Sequence, residues 1–229
     1  MKWVPLRCAL CGFVLALLTL GIMTLAPHRA ITWICSAGIL SAAGYCMGRQ
    51  VQKLYEEIYT DKLTNIGNRN LFYYQMGGIL DALKENRLRD VSLAMIDIDH
   101  FKKINDAYGH MIGDRLLSEI ANILKKSTRK TDLLIRWGGE EFLVVLPNAA
   151  LEGARSFMER IRSMIESHQF DWIRMTDVVT ISVGITSYKE LEKSGLPVGD
   201  LADMLLTTAD NALYEAKKRR NEVAVHRQR

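Results

Sequence analysis

Thr131-Asp132-Leu133-Leu134-Ile135-Arg136-Trp137-Gly138-Gly139-Glu140-Glu141-Phe142-Leu143-Val144-Val145-Leu146-Pro147 contains two apolar runs, 131–137 and 142–147, separated by two glycines and two glutamates. Short apolar runs bounded by Gly-Gly read as strands joined by a tight turn, so this stretch predicts a β-hairpin with adjacent carboxylates at its tip. Glycine permits positive φ and lets backbone come close to a ligand, while Glu140 and Glu141 supply hard oxygen donors beside it. Such a tip suits a phosphate bound with Mg²⁺. Taken alone, the stretch leaves a second reading open, a Gly-Gly turn flanked by solvated glutamates.

Outward from the hairpin, strand and helix patterns alternate. Residues 91–97 form an apolar run that ends in carboxylates and predict a strand; Asp97 and Asp99, two apart, point to the same side in β geometry. If that strand lies beside the hairpin, Asp97 and Glu140 converge on one metal pair, whereas Asp99 is read as a solvated strand end. Ile112, Leu116, Ile120, Ile123 and Leu124 form a helical stripe, and Ala150, Ala154, Phe157, Ile161 and Ile165 another. A strand is expected over 178–186, a helix carrying Leu201, Leu205, Ala209, Ala212 and Ala216, and a last strand over 222–226. This βαββαβ-like order with additions predicts an α+β domain, a mainly antiparallel sheet covered by helices.

The front of the chain differs. Residues 8–26 carry no charge and neither do residues 30–48, each stretch being 19 residues long, close to the roughly 20 a helix needs to cross a bilayer. Only Pro27-His28-Arg29 separates them, which predicts a transmembrane hairpin leaving no room for a folded extracytoplasmic sensor. Lys2 and Arg7 before the first span and Arg49 and Lys53 after the second place both ends in the cytoplasm. A cleaved signal peptide is the competing reading of the first span. Residues 49–60 read as a short signalling helix, with Val51, Leu54 or Tyr55, and Ile58 at spacing that would pair it with a second copy. The domain boundaries expected are therefore 1–48, 49–60 and 61–229.

All four cysteines, Cys8, Cys11, Cys35 and Cys46, lie in or beside the two apolar stretches, so no disulfide framework holds the rest together. The net charge of +4 is modest, and part of it is the basic run Lys217-Lys218-Arg219-Arg220, which reads as a solvated helix end able to meet phosphate or anionic lipid. No nucleic-acid partner is expected.

The motifs Asp61-Lys62-Leu63-Thr64, Asn68-Arg69, 97–102 (Asp-Ile-Asp-His-Phe-Lys), Asn105-Asp106, Gly109-His110, Gly113-Asp114, 136–142, 182–184 (Ser-Val-Gly) and the segment from Ala209 to Lys217 occur in order and resemble the GGDEF family, the diguanylate cyclases, over about residues 59–226. The resemblance implies a nucleotidyl-cyclase-like fold. It implies two facing domains, each holding one GTP with two Mg²⁺ or Mn²⁺ ions, each 3′-hydroxyl attacking the other α-phosphate to close cyclic di-GMP and release pyrophosphate. Asp97, the Ile98 carbonyl and Glu140 would be the metal ligands, and Glu141 would position or activate the 3′-hydroxyl. Asn105 and Asp114 would read the guanine edge, Lys102 and Lys217 would meet the triphosphate, and Gly138 and Gly139 would line the substrate. Arg129 and Asp132, with Arg160, stand where the family carries its product-inhibition site. A membrane-anchored homodimer in the bacterial cytoplasmic membrane, with its catalytic domain in the cytoplasm, is the assembly expected.

Several features depart from the family pattern or keep an ordinary reading. His100 stands where an aromatic is frequent, Gly67 replaces a common Leu or Pro, and Arg219-Arg220-Asn221 lacks the usual glycine, so Arg220 receives no phosphate contact. His110 is read as a helix-start residue, and Trp137 and Phe142 as sheet packing. Asp61, Asn68 and Arg69 are read as fixing the junction between signalling helix and domain. A non-catalytic cyclic di-GMP receptor, an idle membrane scaffold and a related nucleotidyl cyclase are the other classes; the intact acidic residues oppose the first two and Asp114 opposes the last.

Overall fold

A computed structural model describes residues 14, 27–170, 178–192 and 201–226. The chain divides into two compact units, Met1–Ile58 and Tyr59–Arg229. In the first, helix α1 runs from Pro27 to Tyr59, beginning on the proline whose fixed φ suits a first helical turn. The sequence reads 49–60 as a helix continuing out of the apolar stretch 30–48, and the structure has one continuous helix there, because Gly48-Arg49 contains no breaker strong enough to end it. Among the described residues no helix is long and apolar enough to cross a membrane. The transmembrane hairpin is therefore not found: its second half is part of α1, and its first, 8–26, lies outside the described residues apart from Val14, as do Cys8 and Cys11. Cys35 and Cys46 are free and exposed.

The second unit runs β1 (Gly67–Asn68), α2 (Arg69–Lys84), β2 (Val91–Ile98), α3 (Phe101–Tyr108), α4 (His110–Ser127), β3 (Leu133–Arg136), β4 (Glu141–Pro147), α5 (Leu151–Glu166), β5 (Ile181–Ser187), α6 (Tyr188–Glu192), α7 (Leu201–Arg219) and β6 (Val223–Val225). The strands form one sheet in the order β1-β3-β4-β2-β5-β6. Its inner pairings are antiparallel, but β1 lies parallel to β3 and β6 parallel to β5. The sheet is mainly antiparallel, as expected, and mixed through the parallel pairing of its two edge strands. Parallel pairing at the two edges depends on crossover connections, which alternation along a strand does not encode.

The period-2 rule divides the core. Ala94, Ile96 and Ile98 of β2, with Phe142 and Val144 of β4, pack on one face beneath Leu116, Ile120 and Leu124 of α4 and Ile161 and Ile165 of α5. Val91, Leu93 and Met95, with Leu143 and Val145, face the other side, against Phe72 and Met76 of α2 and Leu205, Ala209 and Leu213 of α7. Odd-numbered residues of β2 and β4 therefore look toward α2 and α7. That parity carries Asp97 and Glu141, which are cross-strand partners, to the α7 side.

Helix α7 lies unusually close to the sheet at Gly184. A Cβ there would stand 2.0 Å from the Leu213 amide nitrogen and 2.2 Å from the Ala209 carbonyl oxygen. One turn beyond Leu213, this approach brings Lys217 over the strand ends.

The helix ends on Arg220 and Asn221, both with positive φ (61° and 47°); the Arg220 amide donates to the Ala216 carbonyl. This is the left-handed stop that glycine normally supplies, here taken by two residues that carry a Cβ. Hydrogen bonds secure it: the Asn221 amide donates to Asp99, and its side chain meets Arg162 and Glu166 at 2.6 and 2.7 Å. Relief of left-handed strain outweighs the extra freedom glycine gives the unfolded chain, so Arg220→Gly is expected to stabilise the protein by about 0.5–1 kcal/mol, read from urea unfolding. An unchanged or lower midpoint would contradict this account of the stop.

Candidate active site

Asp97 sits at the C-terminal end of β2, 5% exposed, and its Oδ2 accepts a hydrogen bond from Lys217 Nζ at 2.6 Å. Burial pushes its carboxyl up to about 6; Lys217 opposes that shift, and the charges of Glu140 and Glu141 add to it. The hairpin glutamates thus act electrically on the strand-end aspartate, and one lysine opposes three carboxylates. A site with that balance is short of positive charge, and oxygen donors of this kind suit a divalent cation. Among the described residues no three His, Cys, Asp or Glu side chains are gathered closely enough to hold a metal ion. Lys217 stands as the cation against Asp97 instead.

The hairpin tip spans 137–140 between β3 and β4. The amides of Trp137 and Gly138 both donate to the Glu141 carbonyl, at 2.8 and 3.3 Å, and the Ile98 amide donates to the Glu140 carbonyl at 3.4 Å. Neither Gly138 nor Gly139 uses a left-handed φ, contrary to the usual reason for a Gly-Gly turn. A Cβ at Gly138 would lie 2.5 Å from Glu141 Oε2, the mobile end of a side chain that can turn aside, while one at Gly139 would meet open space.

Asp99 corrects the sequence reading. It is buried, not solvated, and accepts from the Thr180 and Ser182 hydroxyls at 2.8 and 2.7 Å and from the Asn221 amide at 2.9 Å. Its carboxylate ties β5 and the stop of α7 to the end of β2, a structural task beside Asp97.

Asn105, in the last turn of α3, presents a buried Oδ1 with no hydrogen-bond partner among the described residues. It lies flush on Gly113 of α4, where a Cβ would stand 1.9 Å away. Asp114 follows Gly113 and is exposed. An unpaired buried acceptor costs roughly 1–3 kcal/mol unless a ligand satisfies it, and an N–H from a base edge would do so. Lys102 is exposed in the first turn of α3.

A family model described as "Diguanylate cyclase, GGDEF domain" matches residues 58–222. The chain belongs to the GGDEF family. It is 37% identical over 177 residues to diguanylate cyclase A of Treponema denticola, covering 76% of this chain and 46% of that protein. It is 40% identical to the response regulator PleD of Caulobacter vibrioides, covering 69% and 34%. The chain spans less than half the length of these curated relatives. Among solved structures, the coiled coil and GGDEF domain of DgcB from Caulobacter crescentus in complex with c-di-GMP aligns with TM-score 0.71 at 26% identity, covering 81% of this chain and 95% of that one. The active GGEEF domain of a Vibrio cholerae diguanylate cyclase aligns at 0.61 and 32%, covering 71% and 98%.

Asp132 Oδ2 accepts from the Arg129 amide at 2.7 Å, closing a turn that leaves the Arg129 side chain exposed. A cavity of about 230 Å³ adjoins both residues and is floored by Leu146, Pro147, Ala154 and Phe157; the Arg160 guanidinium lies 5.3 Å from the Phe157 ring centroid. Arg129 and Asp132 line this hollow; Arg160 is not part of its lining and stands beside it, next to Phe157. His110 starts α4, and Phe142 is fully buried in the sheet, as the sequence suggests.

Sequence reasoning missed the bond between Lys217 and Asp97 and the work of Asp61. The Asp61 carboxylate accepts from the Thr64 amide and hydroxyl at 2.9 and 2.6 Å and from Arg136 Nη1 at 3.1 Å. Burial pushes that carboxyl up, but Thr64 and Arg136 outweigh burial and hold it below the usual value. A lone Asp-x-x-Thr turn gave a local signal; its link to Arg136, 75 residues away, gave none.

Proposed function

We propose that the protein condenses two molecules of GTP into cyclic di-GMP, working as a homodimer. The observation that carries this reading is a buried Asp97, bonded to Lys217, paired across the strands with Glu141 beside a hairpin tip whose Glu140 carbonyl accepts from the Ile98 amide. Family membership and the unpaired Asn105 acceptor support it. Asp97, the Ile98 carbonyl and Glu140 would hold two Mg²⁺ or Mn²⁺ ions, which supply charge neutralisation on the triphosphate when bound.

Asn105 and Asp114 orient guanine; a carboxylate accepting from N1 and N2 disfavours adenine, whose edge offers a different donor pattern. Lys217, moving from Asp97, and Lys102 meet phosphate oxygens. Each 3′-hydroxyl forms a new O–P bond at the other GTP's α-phosphate as the bond to pyrophosphate breaks, and Glu141 takes the hydroxyl proton. One domain holds one substrate, so two facing copies are required for both attacks. Incubating purified protein with GTP, ATP and Mg²⁺ and identifying products by chromatography and mass tests the reading. Absence of cyclic di-GMP would reject it.

Product inhibition at Arg129, Asp132 and Arg160 is the second part of this reading, since guanidinium groups grip phosphate and guanine bidentately. Arg129→Ala is expected to raise the cyclic di-GMP concentration giving half inhibition by roughly tenfold or more. Equal inhibition of variant and wild type would reject the assignment.

Placement at the bacterial cytoplasmic membrane rests on the uncharged stretches 8–26 and 30–48 in the sequence. Recovery of the full chain in the soluble fraction after cell lysis would count against it.

A further inference from the structure

The glycine-rich tip carries the two glutamates on which the proposed reaction depends, and a turn with so little side-chain packing needs anchoring from outside. Its amides at 137 and 138 are spent on the Glu141 carbonyl. Two of its carbonyls are held by guanidinium groups. Arg136 donates from Nη2 and Nε to the Gly139 carbonyl at 2.9 and 3.3 Å, while Asp61 accepts from its Nη1. Arg69 donates from Nη2 to the Trp137 carbonyl at 3.0 Å and places its guanidinium carbon 4.3 Å from the Trp137 ring centroid.

Arg69 is well placed for that task. It is the first residue of α2, whose start is fixed by Asn68 Oδ1 accepting from the amides of Asn70 and Leu71 at 3.0 and 3.2 Å. Phe72 of the same helix meets the Trp137 ring edge-on, with centroids 5.4 Å apart, and Tyr73 lies 6.1 Å from it. The start of α2 therefore grips the entry of the turn by a carbonyl and by a ring. Arg69 itself is exposed, so its side chain adds little to the core.

We propose that Arg69 is a positioning residue for the catalytic turn, holding the Trp137 peptide so that Glu140 and Glu141 are presented to Asp97. This rests on the reading of residues 138–141 as the reacting turn. A planar guanidinium bonds a carbonyl and stacks on an indole at once; a lysine ammonium does one or the other.

The test compares full-length wild type with Arg69→Lys and Arg69→Gln. Hydrogen exchange of the peptide covering 137–142 is expected to quicken at least about fivefold in both, with peptides from β2 and α4 unchanged. The kcat for GTP turnover is expected to fall roughly ten- to a hundredfold while KM for GTP stays within about twofold, the pattern of an interaction needed only in the transition state. Unchanged exchange at 137–142 overturns the proposal whatever the activity. A rise in KM alone overturns it too, since Arg69 would then touch substrate. Loss of folding in both variants would make Arg69 part of the fold and reject a positioning role. If wild type makes no cyclic di-GMP, the functional reading fails, and the exchange result still decides whether Arg69 holds the turn.

Discussion

Asp97→Asn is expected to remove cyclic di-GMP synthesis, by roughly a thousandfold or more, and to make the metal-free protein more stable above about pH 6. The first effect follows from the loss of a charged donor at the centre of the site. The second follows from what the ionised side chain costs. In the folded protein burial, and then the nearby charges of Glu140 and Glu141, outweigh Lys217 and leave the Asp97 carboxyl at about 6, against 3.8 for the free group. A raised carboxyl means the folded state holds the proton more tightly than the unfolded one. The stabilisation this gives is complete below pH 3.8 and is lost as pH rises through about 6. At pH 8 the buried charge therefore costs about 3 kcal/mol, taken from the shift between 3.8 and about 6 at 1.36 kcal/mol per unit. Asparagine keeps the shape without the charge. Urea unfolding in EDTA should show a gain for the variant that grows from pH 4 to pH 8. A variant no more stable than wild type at pH 8, or one that still makes cyclic di-GMP at the wild-type rate, would contradict the account.

The residues of that site were legible because each sits where a short-range pattern changes. Apolar β2 ends in Asp97 and two apolar runs meet at 138–141; the pairing of β2 with β4, which the sequence leaves conditional, then sets Asp97 opposite Glu141. What escaped depends on partners distant along the chain. Asp99 looks like a solvated strand end until Thr180, Ser182 and Asn221, 81, 83 and 122 residues away, close on it. Lys217 reads as a triphosphate contact; its bond to Asp97, 120 residues off, exists only because α7 docks on β5.

Helix α2 was missed for a different reason. Tyr73 and Tyr74 are exposed and Gly77-Gly78 lowers helix propensity, so the stripe of Phe72, Met76 and Leu83 is faint. The Asn68 cap was the available signal. Strand β1, two residues long, is too short to show any period. On α1 an uncharged run gives way to charged residues after Gly48, a change in surroundings that leaves the backbone helical, as the continuous helix from Pro27 to Tyr59 shows.

Gly184→Ala is expected to cost about 3 kcal/mol or more of stability and most of the turnover, a large penalty for one methyl group. The added Cβ would lie 2.0 Å from the Leu213 nitrogen, 2.2 Å from the Ala209 oxygen and 2.6 Å from the Leu213 Cα. These are helix backbone atoms, which no rotamer change can move aside. Relief requires α7 to lift by roughly 1 Å or more, which opens the packing of Leu205, Ala209 and Leu213 against β2 and β4. Alanine restricts the unfolded chain and so recovers only about 0.4–1 kcal/mol, too little to offset the clash. The same lift carries Lys217 away from Asp97, whose 2.6 Å bond depends on the helix being seated. A misplacement of about 1 Å in a reacting site can cost a hundredfold in rate. Gly77→Ala provides the internal comparison, since that helical glycine has nothing within 4 Å of its added Cβ and should gain about 0.5–1 kcal/mol. Urea unfolding of both variants, with cyclic di-GMP formation assayed on each, should therefore move in opposite directions for the same chemical change. If Gly184→Ala unfolds at the wild-type midpoint, α7 is not seated on β5 as closely as these distances require, and the placement of Lys217 over Asp97 fails with it.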